Sequence, residues 1–439
     1  MAQPLRLRMC QYDAMTPAAA KTPTVVSPSR ARHALIAVWI QAINAVVYSW
    51  SVFRGPLTQL HGWSKAQTIM PYRYSLLLVA VGAIVGGLWQ DRKGPRLVAT
   101  VGALMLGTGC LISALLGDSL TWLVIGYGLI GGLGGGMVYV VPIANLVRWF
   151  PDRRGMMVGL AVMGSGLSPL FWSPLIEAVV GKDPARVHTT LPLAFFLMAS
   201  IFVVAVAGPA QLFRLPPAGW KPAGWTAPVD RSALRESSAG QMLSTWQFYA
   251  LWLAFGFGVS VGLTAIGQAS PLIQEVSRIS TPISAGFAVG IMGIFNATGR
   301  LSWGAVSDRV GRKPALFGMS CVSMIACMGL LRTANGFWQV VAGLCLAAFA
   351  YGGFLAVMPA FSADYFGQSH VGGNYGLLFF SWGVCGFLVP GYFEGILDRA
   401  REAGNLAGGY RDVYLDLAIL AAAVAVLALI LRSPKTRKA

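Results

Sequence analysis

Long apolar stretches fill this chain, and short charged segments separate them. Twelve stretches are long enough for an α-helix to cross a hydrocarbon core, which takes about 20 residues: 34–53, 67–89, 97–117, 120–147, 155–179, 190–213, 246–272, 284–306, 314–332, 335–362, 372–396 and 411–431. Twelve spans put both termini on one side. The longest internal connection, 214–245, carries Pro216, Pro217, Pro222 and Pro228 and falls at the midpoint of the spans. The expected organisation is a tail over 1–33, a six-helix bundle over 34–213, a linker over 214–245, a second bundle over 246–432 and a tail over 433–439.

Composition agrees. Of the 439 residues, 56% are hydrophobic and 11% are charged, and the mean hydropathy is +0.63. A soluble chain carries about 25% charged residues, so there is too little polar surface here for a water-soluble body. The fold class is an all-α polytopic membrane protein, and a soluble enzyme is excluded. Thirty-three Lys and Arg against sixteen Asp and Glu give +17, which in a soluble protein would suggest a nucleic-acid partner. Here the basic residues sit in clusters between spans. With the N-terminus inside, 22 of them fall in inner segments, 9 in outer segments or at outer span ends, and Arg73 and Arg300 lie within spans. This bias orients both termini to the cytoplasm, in a cell (inner) membrane. Residues 1–33 lack a long apolar core and read as a cytoplasmic tail, not a signal peptide. Cys10 lies in that tail and the other five cysteines lie in spans, without CxxC or a His/Cys cluster, so neither disulfide nor metal site is expected.

The halves are related by one offset. Gly87-Leu-Trp-Gln-Asp91-Arg92-Lys-Gly94-Pro-Arg96 recurs as Gly304-Ala-Val-Ser-Asp308-Arg309-Val-Gly311-Arg-Lys313, 217 residues later, and the same shift carries Gly135-Gly136 to Gly352-Gly353, Pro142 to Pro359, Gly159 to Gly376 and Gly166 to Gly383. A duplicated bundle is a transporter architecture, with the substrate site between halves near mid-membrane.

The repeated GxxxDRxGxR/K loop resembles the signature loop of the major facilitator superfamily. Within it, Trp149-Phe-Pro-Asp-Arg153-Arg154-Gly-Met-Met-Val-Gly159-Leu-Ala161-Val-Met-Gly164 resembles a monocarboxylate transporter motif. Tyr48-Ser-Trp-Ser-Val-Phe53, Gly62-Trp63-Ser64 and Asn374-Tyr375-Gly376-Leu377-Leu378 resemble the oxalate/formate antiporter branch. In the signature loops, Asp91 and Asp308 can pair with Arg92 or Arg309 and with the positive end of a neighbouring helix, which makes these four the candidate gate.

Arg300, in Asn296-Ala-Thr-Gly-Arg300, is the candidate anion ligand. An intramembrane arginine costs about 2.5–3.5 kcal/mol on insertion scales and needs a wet cavity or a partner; its fork suits a carboxylate. The alternative is an Arg300 that snorkels toward the signature loop. The resemblance implies the same carboxylate role for an arginine in span eight. It also implies two departures. Trp382 stands where the oxalate/formate antiporter has a second cation, which favours a monocarboxylate over a dianion. Tyr48 and Asn296 stand where animal monocarboxylate transporters carry a lysine and an aspartate, so the co-substrate, proton or exchanged anion, stays open. Gln41, Asn44 and Tyr48 share a face by helical spacing; with Tyr139, Tyr351 and Trp382 they are cavity candidates or interhelical contacts. Arg73 reads as a snorkelling residue, and all four histidines read as tail or loop residues. Gly126-Tyr-Gly128-Leu-Ile-Gly131 mimics a dinucleotide loop, but Gly128, Gly132 and Gly136 are spaced for close helix packing.

The expected function is gradient-driven transport of a small organic anion by alternating access, without cofactor and as a functional monomer in the bilayer. An oxalate/formate-type dicarboxylate exchanger, a non-transporting sensor on the same scaffold and a membrane enzyme are the other classes; the last lacks a catalytic constellation.

Overall fold

A computed structural model describes residues 30–181, 186–217, 220–222, 225, 236–276 and 282–432. Cys10, Asp183-Pro184, Pro228, most of the N-terminal tail and the 433–439 tail lie outside the described residues. Among those described there is no strand. The long helices are α1 (Arg30–Ser49), α2 (Met70–Lys93), α3 (Pro95–Leu116), α4 (Leu120–Trp149), α5 (Arg154–Val180), α6 (Val187–Ala210), α7 (Trp246–Val276), α8 (Pro282–Val310), α9 (Arg312–Leu331), α10 (Phe337–Phe366), α11 (Val371–Glu402) and α12 (Leu406–Ile430). Eleven of these contain segments long and apolar enough to cross a membrane. The twelfth, α8, is 29 residues long and carries Arg300. The fold is therefore the expected all-α membrane architecture of two six-helix bundles.

Span one departs from the expected single helix. Regular α-helix stops at Asn44, a 3₁₀ turn covers Ala45–Ser49, and a separate helix, Ser51–His61, follows. A 3₁₀ turn advances about 120° per residue where an α-helix advances about 100°. Tyr48 is therefore turned further from Gln41 than a continuous α-helix would place it. His33 is also corrected: it is no tail residue but a fully buried residue of α1, stacked on Trp149 at 4.7 Å.

Glycines let the helices approach closely. On α4, Gly128, Gly132 and Gly136 lie against the backbone carbonyls of Pro71, Ser75 and Val79 of α2, so the dinucleotide-like string is a packing face. At the two signature loops Gly94 (φ 84) and Gly311 (φ 93) join consecutive helices in a conformation open to glycine.

The bundles meet along two related seams, α2 on α11 and α5 on α8. At one end Gly87 lies against Gly372 and Gly304 lies against Gly155; further along, Gly376 meets Ala83 and Gly159 meets Arg300; then Gly383 meets Ala80 and Gly166 meets Ala297. Every contact maps onto its counterpart by the 217-residue shift, so the repeat is a repeat of the interface. A Cβ at Gly87 or Gly304 would run into the opposing backbone carbonyl. Gly87→Val and Gly304→Val are each expected to cost about 1–3 kcal/mol by overpacking, read as a lower thermal unfolding midpoint in detergent; an unchanged midpoint would show that the seam yields.

Candidate functional site

Arg300 sits where the α5–α8 seam passes mid-helix, and it is fully buried. Its Nε donates to Asn296 Oδ1, one turn back on α8, at 3.0 Å. Its Nη1 crosses to α5, donating to the Val162 carbonyl at 2.5 Å and to Ser165 Oγ at 3.2 Å. Nη2 has no partner. The guanidinium is thus held across the bundle interface and bonds no carboxylate among the described residues.

Ser165 also lines a cavity of about 50 Å³, together with Asn44, Tyr48, Tyr139, Phe379 and Trp382. That volume holds a few waters, which suits a small ligand. No described residue lining it is charged, so Arg300, bonded to Ser165 Oγ, supplies the nearby positive charge.

Aromatic side chains of both bundles form the remaining wall. Phe379 of α11 stacks on Tyr139 of α4 (4.5 Å, 28°) and on Trp382 (4.9 Å, 15°). Trp382 Nε1 donates to the Tyr351 hydroxyl at 3.0 Å, and the Tyr139 and Tyr375 hydroxyls are 3.4 Å apart. Tyr351, Tyr375 and Trp382 are almost fully buried. The structure thus gathers Arg300, Asn296, Tyr48, Tyr139, Tyr351 and Trp382 in one region. Asn44 lines the cavity while its Nδ2 donates to the Gly135 carbonyl at 3.0 Å. Gln41 is placed differently: its Nε2 donates to the Tyr139 carbonyl at 3.1 Å, and it ties α1 to α4 away from the cavity lining. Arg73 does not snorkel free; Nη2 donates to the Phe387 carbonyl at 3.2 Å, and the guanidinium lies over the Phe387 ring at 4.7 Å.

Ser165, Tyr375 and Phe379 were missed by sequence reasoning. The last two had a signal: Tyr375, Phe379 and Trp382 recur at i, i+4 and i+7, one face of α11. Ser165 had none, because a lone serine in an apolar span is ordinary.

At the signature-loop end the two bundles are latched together. Asp91 of α2 accepts from the Gly372 and Gly373 amides at the start of α11 (3.2 and 2.8 Å). Asp308 of α8 accepts from the Gly155 and Met156 amides at the start of α5 (3.0 and 2.8 Å). First-turn amides have no partner within their helix, and the helix dipole adds to their attraction for a carboxylate. The arginine partners correct the sequence-based expectation. Arg148 pairs with Asp91 at 2.6 Å and Arg312 with Asp308 at 2.7 Å; Asp364 then joins Arg312 (2.7 Å) to Arg154 (2.6 Å). Arg92 and Arg309 are exposed. An arginine next in sequence to an aspartate on a helix points about 100° away from it, so it is poorly placed for the pair.

A sequence profile described as Major Facilitator Superfamily matches residues 34–390, with a second match over 280–439. The oxalate:formate antiporter of Oxalobacter formigenes is 31% identical over 341 residues, covering 76% of this chain and 77% of that protein. The apicoplast pyruvate carrier 1 of Toxoplasma gondii is 25% identical over 356 residues, covering 69% and 64%. Among solved structures, the major facilitator transporter FucP in its outward conformation superposes with a TM-score of 0.70 at 14% identity, over 90% of this chain and 97% of that one. Profile, relatives and superposition agree with the duplicated signature loop and the two-bundle fold, and the chain belongs to the major facilitator superfamily.

Proposed function

We propose that this transporter carries small monocarboxylates across a cell inner membrane by alternating access, with both termini and the signature loops on the cytoplasmic side. The observation that supports this most is Arg300: a buried guanidinium at the seam between the bundles, beside a small cavity, with Nη2 unpaired and no carboxylate bonded to it. A substrate carboxylate supplies the missing acceptor and the missing negative charge at once. Tyr48, Tyr139, Tyr351 and Trp382 shape the space around it and Asn296 orients the guanidinium. The bundles over 34–213 and 246–432 rock about the site while Asp91 and Asp308 hold or release the cytoplasmic end. No resident cofactor takes part.

Dicarboxylate exchange is the second reading, favoured by the 31% identical oxalate:formate antiporter. Trp382 weighs against it, since a dianion here meets one arginine and an indole. One screen separates the two. A panel of carboxylates is added to the purified protein and the unfolding midpoint is measured. Binding to the folded state stabilises by about 2.7 kcal/mol at a hundredfold excess over the dissociation constant. Monocarboxylates are expected to raise the midpoint of the wild type and to leave Arg300→Ala unmoved. Stabilisation by oxalate alone would transfer the assignment to dicarboxylates; no shift with any carboxylate would defeat both. Proteoliposomes given either a pH gradient or a preloaded anion then identify the co-substrate.

A further inference from the structure

Beyond the carboxylate end, two side chains that line the cavity, Asn44 and Ser75, are left with oxygens that can only accept, while the Tyr127 hydroxyl is a buried donor without a partner. Asn44 has committed its amide nitrogen to the Gly135 carbonyl, and its Oδ1 is buried without a partner. Ser75, which lines the same cavity, has given its one hydroxyl hydrogen to the Tyr72 carbonyl at 2.8 Å, so its oxygen can only accept. The spacing suits a short molecule. Gly164 of α5 packs on the backbone of Val38 and Ala42 of α1. Ser165, with Arg300 behind it, therefore lies about three residues, roughly 5 Å, from the level of Asn44 along α1.

We propose that Asn44 Oδ1 selects hydroxylated monocarboxylates, accepting a hydrogen bond from a 2- or 3-hydroxyl while the carboxylate takes Arg300 Nη2. This rests on the carboxylate role of Arg300 argued above. The discrimination comes from the cost of a buried acceptor left unpaired. A methyl in place of the hydroxyl leaves Oδ1 unsatisfied, and a keto oxygen sets one acceptor against another. Sites built to bond a substrate hydroxyl reject analogues that lack it far more strongly than apolar pockets reject a missing methylene.

Lactate, propionate and pyruvate test this, since they share three carbons and one carboxylate. Each competes for uptake of labelled lactate into proteoliposomes holding wild type or Asn44→Leu. Lactate is expected to compete about tenfold or more better than propionate or pyruvate with wild type, and about equally with Asn44→Leu. Because the readout is a ratio on one preparation, loss of folded protein through the broken α1–α4 bond changes all three competitors alike. The rank order of thermal stabilisation by the three acids, wild type against variant, gives the same ratio without transport. Equal competition by all three with wild type, or a preference that survives in Asn44→Leu, overturns the hydroxyl assignment while leaving Arg300-dependent uptake intact. Absence of any Arg300-dependent carboxylate uptake or stabilisation instead overturns the reading beneath it.

Discussion

Proteoliposomes carrying Arg300→Ala are expected to take up labelled monocarboxylate at least about 100-fold more slowly than wild type, the scale set by leaving one partner of a buried charged pair uncompensated. The loss falls on the substrate, whose carboxylate would enter a cavity without its counter-charge. The protein's own loss is smaller. Val162 keeps a hydrogen bond from Ser165 Oγ at 2.9 Å, and the acceptor released is the buried Asn296 Oδ1, at a cost of about 1–3 kcal/mol. Folding and insertion should therefore survive, and the unfolding midpoint without substrate checks this. Arg300→Lys separates charge from shape. Its ammonium retains the charge but cannot reproduce a planar fork that serves Asn296, Val162 and Ser165 while leaving Nη2 for the ligand. It is expected to recover at most about a tenth of wild-type uptake. Wild-type uptake by Arg300→Ala would remove the substrate role of this residue.

The second large effect is expected at the latch. Asp91→Asn with Asp308→Asn exchanges two carboxylates, each accepting from two first-turn amides and an arginine, for amides that offer one acceptor oxygen apiece. A hydrogen-bonding group lost from such a buried site costs about 1–3 kcal/mol. Both together approach the roughly 5.5 kcal/mol that carries an equilibrium from 99:1 to 1:99. The double variant should open the signature-loop end. Spin labels at the exposed positions Arg92 and Arg309, one on each bundle, report this as a longer distance in the double variant than in the parent, in a background without native cysteines. An unchanged distance distribution would mean that the glycine seams alone keep this end shut. The two single variants should show smaller and similar effects, because the shift of 217 residues maps one carboxylate site onto the other.

Much of this was readable in the sequence. Span number, helix class and the duplicated half follow from apolar runs and a constant offset, because a bilayer leaves a helix about 20 residues long as the main way to bury a backbone. The same arithmetic singled out Arg300, since charge inside a span is costly enough to need a reason. Partner choice was less readable. Asp91 and Asp308 stood out, and Arg312, four residues after Asp308, was within reach of a local pattern, but the other bonds run to Arg148 and to amides 281, 282, 153 and 152 residues away, which no local pattern encodes. Gln41 and Asn44 shared a face as expected, yet one ties two helices together and the other also lines the cavity.

The amino-acid sequence by itself determined the membrane class, the two related bundles and the small set of residues able to hold an anion, because hydrophobic length, glycine spacing and the cost of buried charge act on the chain locally. Only the tertiary structure decided that Arg300 is clamped across the seam with one nitrogen to spare and that Asn44 keeps an unpaired oxygen beside the cavity. Each of these depends on which backbone atoms of a distant helix come within hydrogen-bonding distance, and that is settled by the packing of the two bundles.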